Sequence, residues 1–433
     1  MGLTGPAPPV YLTGMKVLIL TFGSRGDVQP YVALGAALRK RGHAVTLATG
    51  QGFEAMVEGQ GLTPAPLSVD VRALVESPEM KRALRSLSGK IRAWRDSKQL
   101  ARRLLEETWS VARELRPDVI VYNVKALAAP HIAEALRCIA VPAFQIPAFA
   151  PTGDFANPLL PVSSLGRAVN RLSYRALVWL TVLATSGTTN AWRRERLGLA
   201  PDRARNPVAG YHPKARAVGR LHGYSRHIVP KPDDWGAEEQ VTGYWFLDRG
   251  AAWEPPRELA HFLEAGPPPV YVGFGSMPAE DGGMLMQTFL DAFEAFGGRA
   301  VLARGWGGFE GGALTDKVHV LDAAPHDWLF PRCSAVIHHG GAGTTHEGLR
   351  WGRPSLVCPV FGDQPYWGRR VQELGAGPAP LPQKRLTTSA LVEALGALQR
   401  PEVVSRAAEI GAAIRGEPGA EAAASAIDSI VAT

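Results

Sequence analysis

Two apolar runs, residues 16–21 and 270–274, each stop at a glycine turn, and this feature limits the fold of the chain most tightly. The first run leads into Phe22-Gly23-Ser24-Arg25-Gly26-Asp27 and the second into Gly275-Ser276-Met277-Pro278. Short aliphatic and β-branched runs closed by glycine fit strands buried on both faces of a parallel sheet. An Ala-rich stretch, residues 31–41, follows the first turn and is closed by Gly42, which predicts a helix with a glycine just past its end. Residues 43–49 form the next strand, so the chain opens with a βαβ unit. Further strands are predicted at 118–122, 141–145, 299–303, 318–321, 334–339 and 355–359. Such alternation predicts an α/β chain with parallel sheets, whose ligands sit at the carboxyl ends of the strands.

With 433 residues, 46% hydrophobic and 20% charged, the chain has enough apolar material for two or three cores and too much for a disordered polymer. Cys138, Cys333 and Cys358 form no CxxC pair, which argues against a disulfide scaffold or zinc–thiolate site and fits a reducing cytoplasm. The most apolar stretch, residues 177–184, is far short of the ~20 residues that cross a bilayer. Residues 1–14 lack the basic start and apolar core of a signal peptide and read as a disordered lead. The net charge of +7 is uneven, because residues 81–116 carry eleven Lys/Arg against four Asp/Glu. That segment is either a solvated basic helix face or a contact for an anionic membrane surface. It has no regular aromatic interleaving and no nucleic-acid motif. Proline clusters at 254–256 and 266–269 bracket a short helix at 257–265 and mark a stiff linker. The Ala-rich tail breaks at 416–419 before a final helix, 420–430.

Three loops carry candidate chemistry. Residues 337–345, Ile-His-His-Gly-Gly-Ala-Gly-Thr-Thr, pass from a strand into a helix. Small residues let a ligand approach the backbone, and the helix start offers unpaired N–H groups and positive potential, a place for a diphosphate. The alternative is a tight turn with a threonine cap. Neither GxGxxG nor the P-loop spacing is present, which disfavours a nicotinamide dehydrogenase. Adjacent on a strand, His338 and His339 face opposite sides and cannot share a metal. Asp27, at the end of the first strand, is either a helix cap or a carboxylate placed to accept a proton. Asp363 and Gln364, at the start of a later helix, offer acceptors and donors suited to sugar hydroxyls, or simply cap that helix.

Taken in order, the motifs GSRGDVQPYVALG (23–35), NVKALAAPHIAEAL (123–136), VTGYWFLD (241–248), PPPVYVGFGSM (267–277), RGWGG (304–308), APHDWLFPRCSAVIHHGGAGTT (324–345) and FGDQPYWGRRV (361–371) resemble the family-1 glycosyltransferases. Within them the likeness is to sterol 3-beta-glucosyltransferases and their bacterial relatives, then to antibiotic-aglycone glycosyltransferases. The resemblance implies the GT-B fold, with two facing Rossmann-like domains. Residues 15–245 would bind the acceptor, 246–268 would link, 269–415 would bind the nucleotide sugar, and 416–433 would return to the first domain. It implies an inverting, metal-independent transfer of a hexose, glucose in the first instance, from a UDP-sugar to a hydroxyl of a sterol-like acceptor. No cofactor is expected beyond the donor.

By matching position, Asp27 becomes the catalytic base, and Gly23 and Ser24 would support the phosphate loop. Ser276, His338, Gly340, Gly341, Ala342, Gly343 and Thr344 would hold the diphosphate. Asp363 and Gln364 would hold the sugar, and Trp306, Ala324 and Glu347 would bound the nucleoside. Phe149, Phe155 and Lys125 fall on the acceptor side, with Lys125 also a candidate partner for Asp27 or a plain surface lysine. The Pro- and Phe-rich loop at 145–155, with Leu159, Leu160 and the 177–184 stretch, would line an apolar cleft, although that stretch also reads as a packing helix. The chain departs from plant relatives in carrying His346 where they place a ribose-binding glutamate, and Asn123-Val124-Lys125 where they place an aspartate beside their catalytic histidine. Other readings are transfer to a polyketide aglycone, or a catalytically silent nucleotide-sugar binder. A cytoplasmic protein with peripheral contact to an anionic membrane is the expected setting.

Overall fold

The computed structural model describes residues 14–68, 87–202, 206–249, 253–275, 282–304 and 316–432, with only the backbone course given for 87–97 and 282. Ser276, Trp306 and nearly all of the expected lead lie outside the described residues.

The first half runs β1 (Lys16–Leu20), α1 (Arg25–Lys40), β2 (Ala44–Gly50), α2 (Glu54–Glu58), β3 (Thr63–Leu67), α3 (Leu87–Leu115), β4 (Val119–Tyr122), α4 (Ala129–Leu136), β5 (Ile139–Phe144), α5 (Arg167–Trp192), β6 (Arg220–His222) and β7 (Glu239–Val241). The second runs α6 (Arg257–Glu264), β8 (Val270–Gly273), α7 (Gly282–Phe296), β9 (Ala300–Ala303), β10 (Val318–Leu321), α8 (His326–Leu329), β11 (Ala335–His338), α9 (Ala342–Arg350), β12 (Ser355–Val357), α10 (Gln364–Glu373), α11 (Thr388–Leu398), α12 (Pro401–Arg415) and α13 (Ala420–Ala432). Both sheets are parallel throughout, in the orders β3-β2-β1-β4-β5-β6-β7 and β10-β9-β8-β11-β12.

Alternation along β1 explains the layers. Val17 and Ile19 enter a core shared with α1, while Leu18 and Leu20 enter the opposite core with α4 and the buried part of α3. The second sheet repeats this, with Val270 and Val272 facing α7 and α11 and Tyr271 facing the other way. Three strands have no clear sequence signal. β3 carries Pro64 and Pro66, tolerated because it is the sheet edge, and β6 and β7 are three residues each. Helix α1 starts at Arg25, before the predicted residue 31, and carries Pro30 inside it. The 177–184 stretch falls in α5, where Trp179, Leu180 and Leu183 face solvent, so they do not pack in the core.

The last helix returns to the first sheet. Ala423, Ala424, Ala426, Ile427 and Ile430 of α13 join the core beneath α1, their small side chains allowing close approach. The chain gets there through a tight crossing, where Gly419 has φ +52° and a Cβ on it would sit 2.6 Å from the Tyr244 carbonyl oxygen. Asp428 is the polar anchor of this return, with Oδ1 2.8 Å from His43 Nε2 and Oδ2 accepting from Arg41 Nε at 2.7 Å. Its carboxylate is nearly buried, so removing it strands two polar partners. Asp428→Ala is expected to lower stability by about 2–4 kcal/mol. Urea unfolding of the full chain checks this, and a loss indistinguishable from zero would remove the anchoring role.

Candidate active site

In each sheet the strand order reverses beside the first strand, between β1 and β4 and between β8 and β11. Loops leaving the carboxyl ends of those strands diverge and open a crevice, the usual ligand position in such sheets. Asp27 and Lys125 follow β1 and β4, and the glycine loop 339–341 follows β11.

Gly23 brings α1 in directly after β1. With φ +140°, a Cβ here would lie 2.0 Å from Asp27 Oδ2 and 2.7 Å from Lys125 Nζ, so the turn admits only glycine. Ser24 is the N-cap of α1 and Asp27 sits three residues on. Asp27 Oδ2 accepts the Ser24 backbone N–H at 2.9 Å and its hydroxyl at 3.3 Å. Reaching back to the cap in this way is half of a capping box. The other oxygen, Oδ1, accepts from Lys125 Nζ at 2.7 Å. Asp27 is thus a helix-end carboxylate and a group at the sheet mouth at once, and Lys125 is its partner. Thr21 Oγ1 donates to the Asp27 carbonyl at 2.7 Å and accepts from Asn123 Nδ2 at 2.9 Å, tying the ends of β1 and β4 together. Lys125 is half exposed, so this ion pair orients the carboxylate without contributing much stability.

Across the crevice, α9 begins at Ala342, and the N–H groups of Ala342, Gly343 and Thr344 have no acceptor within the helix. Gly340, at φ +96°, lets the loop press against β12 and α10, where a Cβ would be 2.6 Å from Val357 Cγ1. Gly343 meets Tyr244, whose hydroxyl would be 2.9 Å from a Cβ. His338 is buried. Its Nδ1 accepts the Gly340 N–H at 3.0 Å, which puts the ring proton on Nε2, a buried donor with no hydrogen-bond partner among the described residues. Burial, with His339 and His326 nearby, holds its pKa well below the usual histidine range. His339 is lowered to about 4 by burial, and His326 to about 3 by burial and then by Arg25. All three rings are therefore neutral hydrogen-bonding groups at neutral pH.

Arg25 has no counterpart among the sequence candidates. It leaves α1 toward the second half, where Arg249, Asp327 and Tyr271 are its charged and titratable neighbours. Its Nε donates to Gln29 Oε1 at 2.8 Å. Its side chain is exposed to solvent. The sequence signal was present in the motif GSRGD, but only the facing sheet shows what the cation addresses.

Asp363 is the N-cap of α10 and accepts from Trp367 Nε1 at 2.7 Å. Burial raises its pKa most, and the Asp27 charge raises it further while Lys125 opposes, so the two half-sites share one electrostatic field. Gln364 turns its side-chain oxygen onto its own loop. Its Oε1 accepts the N–H groups of Val360 at 2.8 Å and Phe361 at 3.2 Å, shaping the turn that presents Asp363. Phe155 lies between Tyr174 and Tyr366, with ring centroids 6.4 and 5.8 Å away, in an apolar cluster joining the two halves. Phe149 packs on Phe144. Ala324 is half buried just before α8. His346 is a structural bridge: its Nε2 accepts the Ser225 N–H at 3.1 Å from the other half, and its ring stacks on Tyr244 at 4.4 Å. Among the described residues, no three His, Cys, Asp or Glu side chains gather as a metal site.

Known proteins fit this geometry. Residues 17–152 match the glycosyltransferase family 28 N-terminal domain, and residues 300–427 match the erythromycin biosynthesis protein CIII-like C-terminal domain. Over 95% of its length the chain is 37% identical to sterol 3-beta-glucosyltransferase UGT80B1 of Arabidopsis thaliana, covering 67% of that protein. It is 36% identical over 98% of its length to the sterol 3-beta-glucosyltransferase of Emericella nidulans, of which it spans 30%. Among solved structures, the glycotransferase of kitacinnamycin superposes with a TM-score of 0.70 at 21% identity, covering 96% of this chain and 99% of that one. The fold and the crevice between its sheets are those of a GT-B glycosyltransferase. The chain belongs to the glycosyltransferase family that includes the sterol 3-beta-glucosyltransferases.

Glu347 supplies a pH test of the site wall. Burial lifts its carboxyl to about 7, although Arg350 and the Trp351 Nε1–H, 2.7 Å from Oε1, pull it down. Between 4.5 and about 7 the native chain keeps a proton that the unfolded chain has released. The stability this contributes is complete below 4.5 and is lost as pH rises through about 7. Glu347→Gln keeps an acceptor for Trp351 and removes the loss. The variant's Tm is expected to match the wild type at low pH and to exceed it by several degrees above neutrality. An offset independent of pH, measured by calorimetry, would overturn this assignment.

Proposed function

We propose that the chain moves a hexose, glucose in the first instance, from UDP to a hydroxyl of a lipophilic, sterol-like acceptor, with inversion at the sugar carbon. The observation that carries this reading is the Asp27 carboxylate at the end of β1, held by Ser24 and Lys125, facing half-buried Asp363 at the start of α10, with the α9 N-terminus alongside. The sterol 3-beta-glucosyltransferases among its relatives supply the substrate class. The chain spans two-thirds of the Arabidopsis relative and under a third of the fungal one, so their activities come to it as a proposal.

In this mechanism the acceptor hydroxyl approaches Asp27 Oδ1, taking the place of the Lys125 ammonium, which swings aside on its flexible stem. Ser24 keeps hold of Oδ2, so the carboxylate stays aimed. Asp27 accepts the proton as the oxygen attacks the anomeric carbon from the face opposite the diphosphate. Negative charge then grows on the departing UDP. The N–H groups at the start of α9, the His338 Nε2–H and the Arg25 guanidinium are the groups that meet it. These groups do what a divalent metal does in other transferases, and the reading calls for none. Asp363 takes sugar hydroxyls at the end of the turn that Gln364 shapes.

Asp27→Asn keeps an oxygen for the Ser24 N–H and cannot accept the proton. Turnover is expected to fall about 10²- to 10⁴-fold with little change in Tm. The assay follows glucoside formation by mass spectrometry, with UDP- and dTDP-sugars as donors and sterols and a polyketide aglycone as acceptors. Turnover within a few-fold of wild type would sink the base assignment, and transfer confined to the aglycone would replace the sterol reading.

A further inference from the structure

Helix α5 is amphipathic the wrong way round for a free surface. Its exposed positions recur at spacings of three and four residues: Val169, Leu172, Arg175, Trp179, Leu180 and Leu183 form one stripe. Trp179 and Leu183 are each 62% exposed and Leu172 is 59% exposed. The opposite side carries Asn170, Tyr174, Thr189 and Trp192, which are buried. Large apolar side chains nevertheless point outward along four turns of helix. Scattered exposed leucines need no explanation, but a continuous stripe with a tryptophan at its centre does.

Charge narrows the choice of what covers this stripe. Between residues 155 and 201 the chain has six arginines and a single acidic residue, Glu195. Arg167, Arg171 and Arg175 lie toward one end of α5, the first two paired with Asp154 and Asp234, while past the other end Arg194 is exposed, Arg196 pairs with Glu106 and Arg193 is buried against Glu134. Lys98 of the basic helix α3 lies beside Leu183 and Ala184 in a shallow groove. An apolar stripe with a central indole, on a helix that carries no carboxylate and with the exposed cations Arg175 and Arg194 on it and just beyond its end, matches the layering of an anionic bilayer surface. Acyl chains would meet the leucines, the acyl–headgroup boundary the indole, and lipid phosphates the arginines. Among the described residues no helix is long and apolar enough to cross a membrane, so the contact is one of lying on it.

We infer that the outer face of α5 is a docking surface for anionic lipid bilayers. The surface deepens the proposed function and rests on it only for its purpose. Phe155, in the loop before α5, touches both Tyr174 of α5 and Tyr366 of α10, so the docked helix stands beside the elements that present Asp363. A sterol-like acceptor would then be collected where it is dissolved, in the bilayer.

The test is flotation of the full chain with phosphatidylcholine vesicles, plain or carrying about one-third phosphatidylglycerol. Wild type is expected to float with the anionic vesicles and to stay behind with the neutral ones. The exposed-site variant Trp179→Ser/Leu183→Ser is expected to lose about tenfold or more of its partitioning at unchanged Tm. Arg175→Gln is expected to weaken binding and its salt dependence together. Wild type that does not float overturns the inference, as does a double variant that floats as well as wild type. A double variant that changes only the oligomeric state in light scattering also overturns it and assigns the stripe to a second copy of the chain. Activity separates this from the catalytic reading. With acceptor delivered in cyclodextrin the double variant is expected to match wild type, whereas with acceptor in anionic vesicles it falls about tenfold. Flotation without any transfer would leave the surface standing and remove the catalytic reading.

Discussion

Everything in the crevice depends on one topological constraint: each parallel sheet grows outward in both directions from its first strand. Where the direction changes, the loops after two adjacent strands part company, and their backbone groups are left facing open space. In the first sheet this places Asp27 and Lys125 next to each other although 98 residues separate them in sequence. In the second it frees the start of α9. No loop has to be long, and the reactive groups rest on the ends of buried strands and helices. That is a stiff support for a reaction that needs sub-ångström placement.

The two halves are held together by more than a linker. His346 receives a backbone N–H from Ser225, Tyr244 stacks on its ring, and Phe155 reaches Tyr366. An apolar cluster containing Tyr224, Ile228 and Trp235 on one side and Trp367, Ile410 and Ile414 on the other continues this seam. The histidine that stands in place of a ribose-binding glutamate is thus accounted for by a contact between halves. Position 346 serves assembly, and Glu347 beside it is engaged by Trp351 and Arg350.

Much of this was legible in the chain itself, for physical reasons that also mark the limit. Strands such as β1, β8 and β11 are buried on both faces, so their composition announces them, and glycine turns are visible because no other residue fits. The motifs placed Asp27, the 339–344 loop and Asp363 at the ends of the right elements. Illegible were features decided by distant partners. The Lys125 ammonium could have been pairing or solvated, Gln364 could not be seen to turn its oxygen onto its own loop, and Arg25 had no addressee until the second sheet stood opposite. β6 and β7 are too short to carry a period, and β3 hides behind its prolines. The apolar stretch in α5 was visible, but composition does not say which side of a helix is turned outward.

The return of α13 has a consequence for the order in which the molecule can be made. The core under α1 is built from the earliest strands to be synthesised, yet it lacks one wall until Ala423, Ile427 and Ile430 arrive. During translation the half that emerges first therefore waits, with apolar surface uncovered, through the synthesis of the entire second half. The half made second can close its own sheet at once. Arrival of α13, rather than completion of either sheet, is the event that seals the older core.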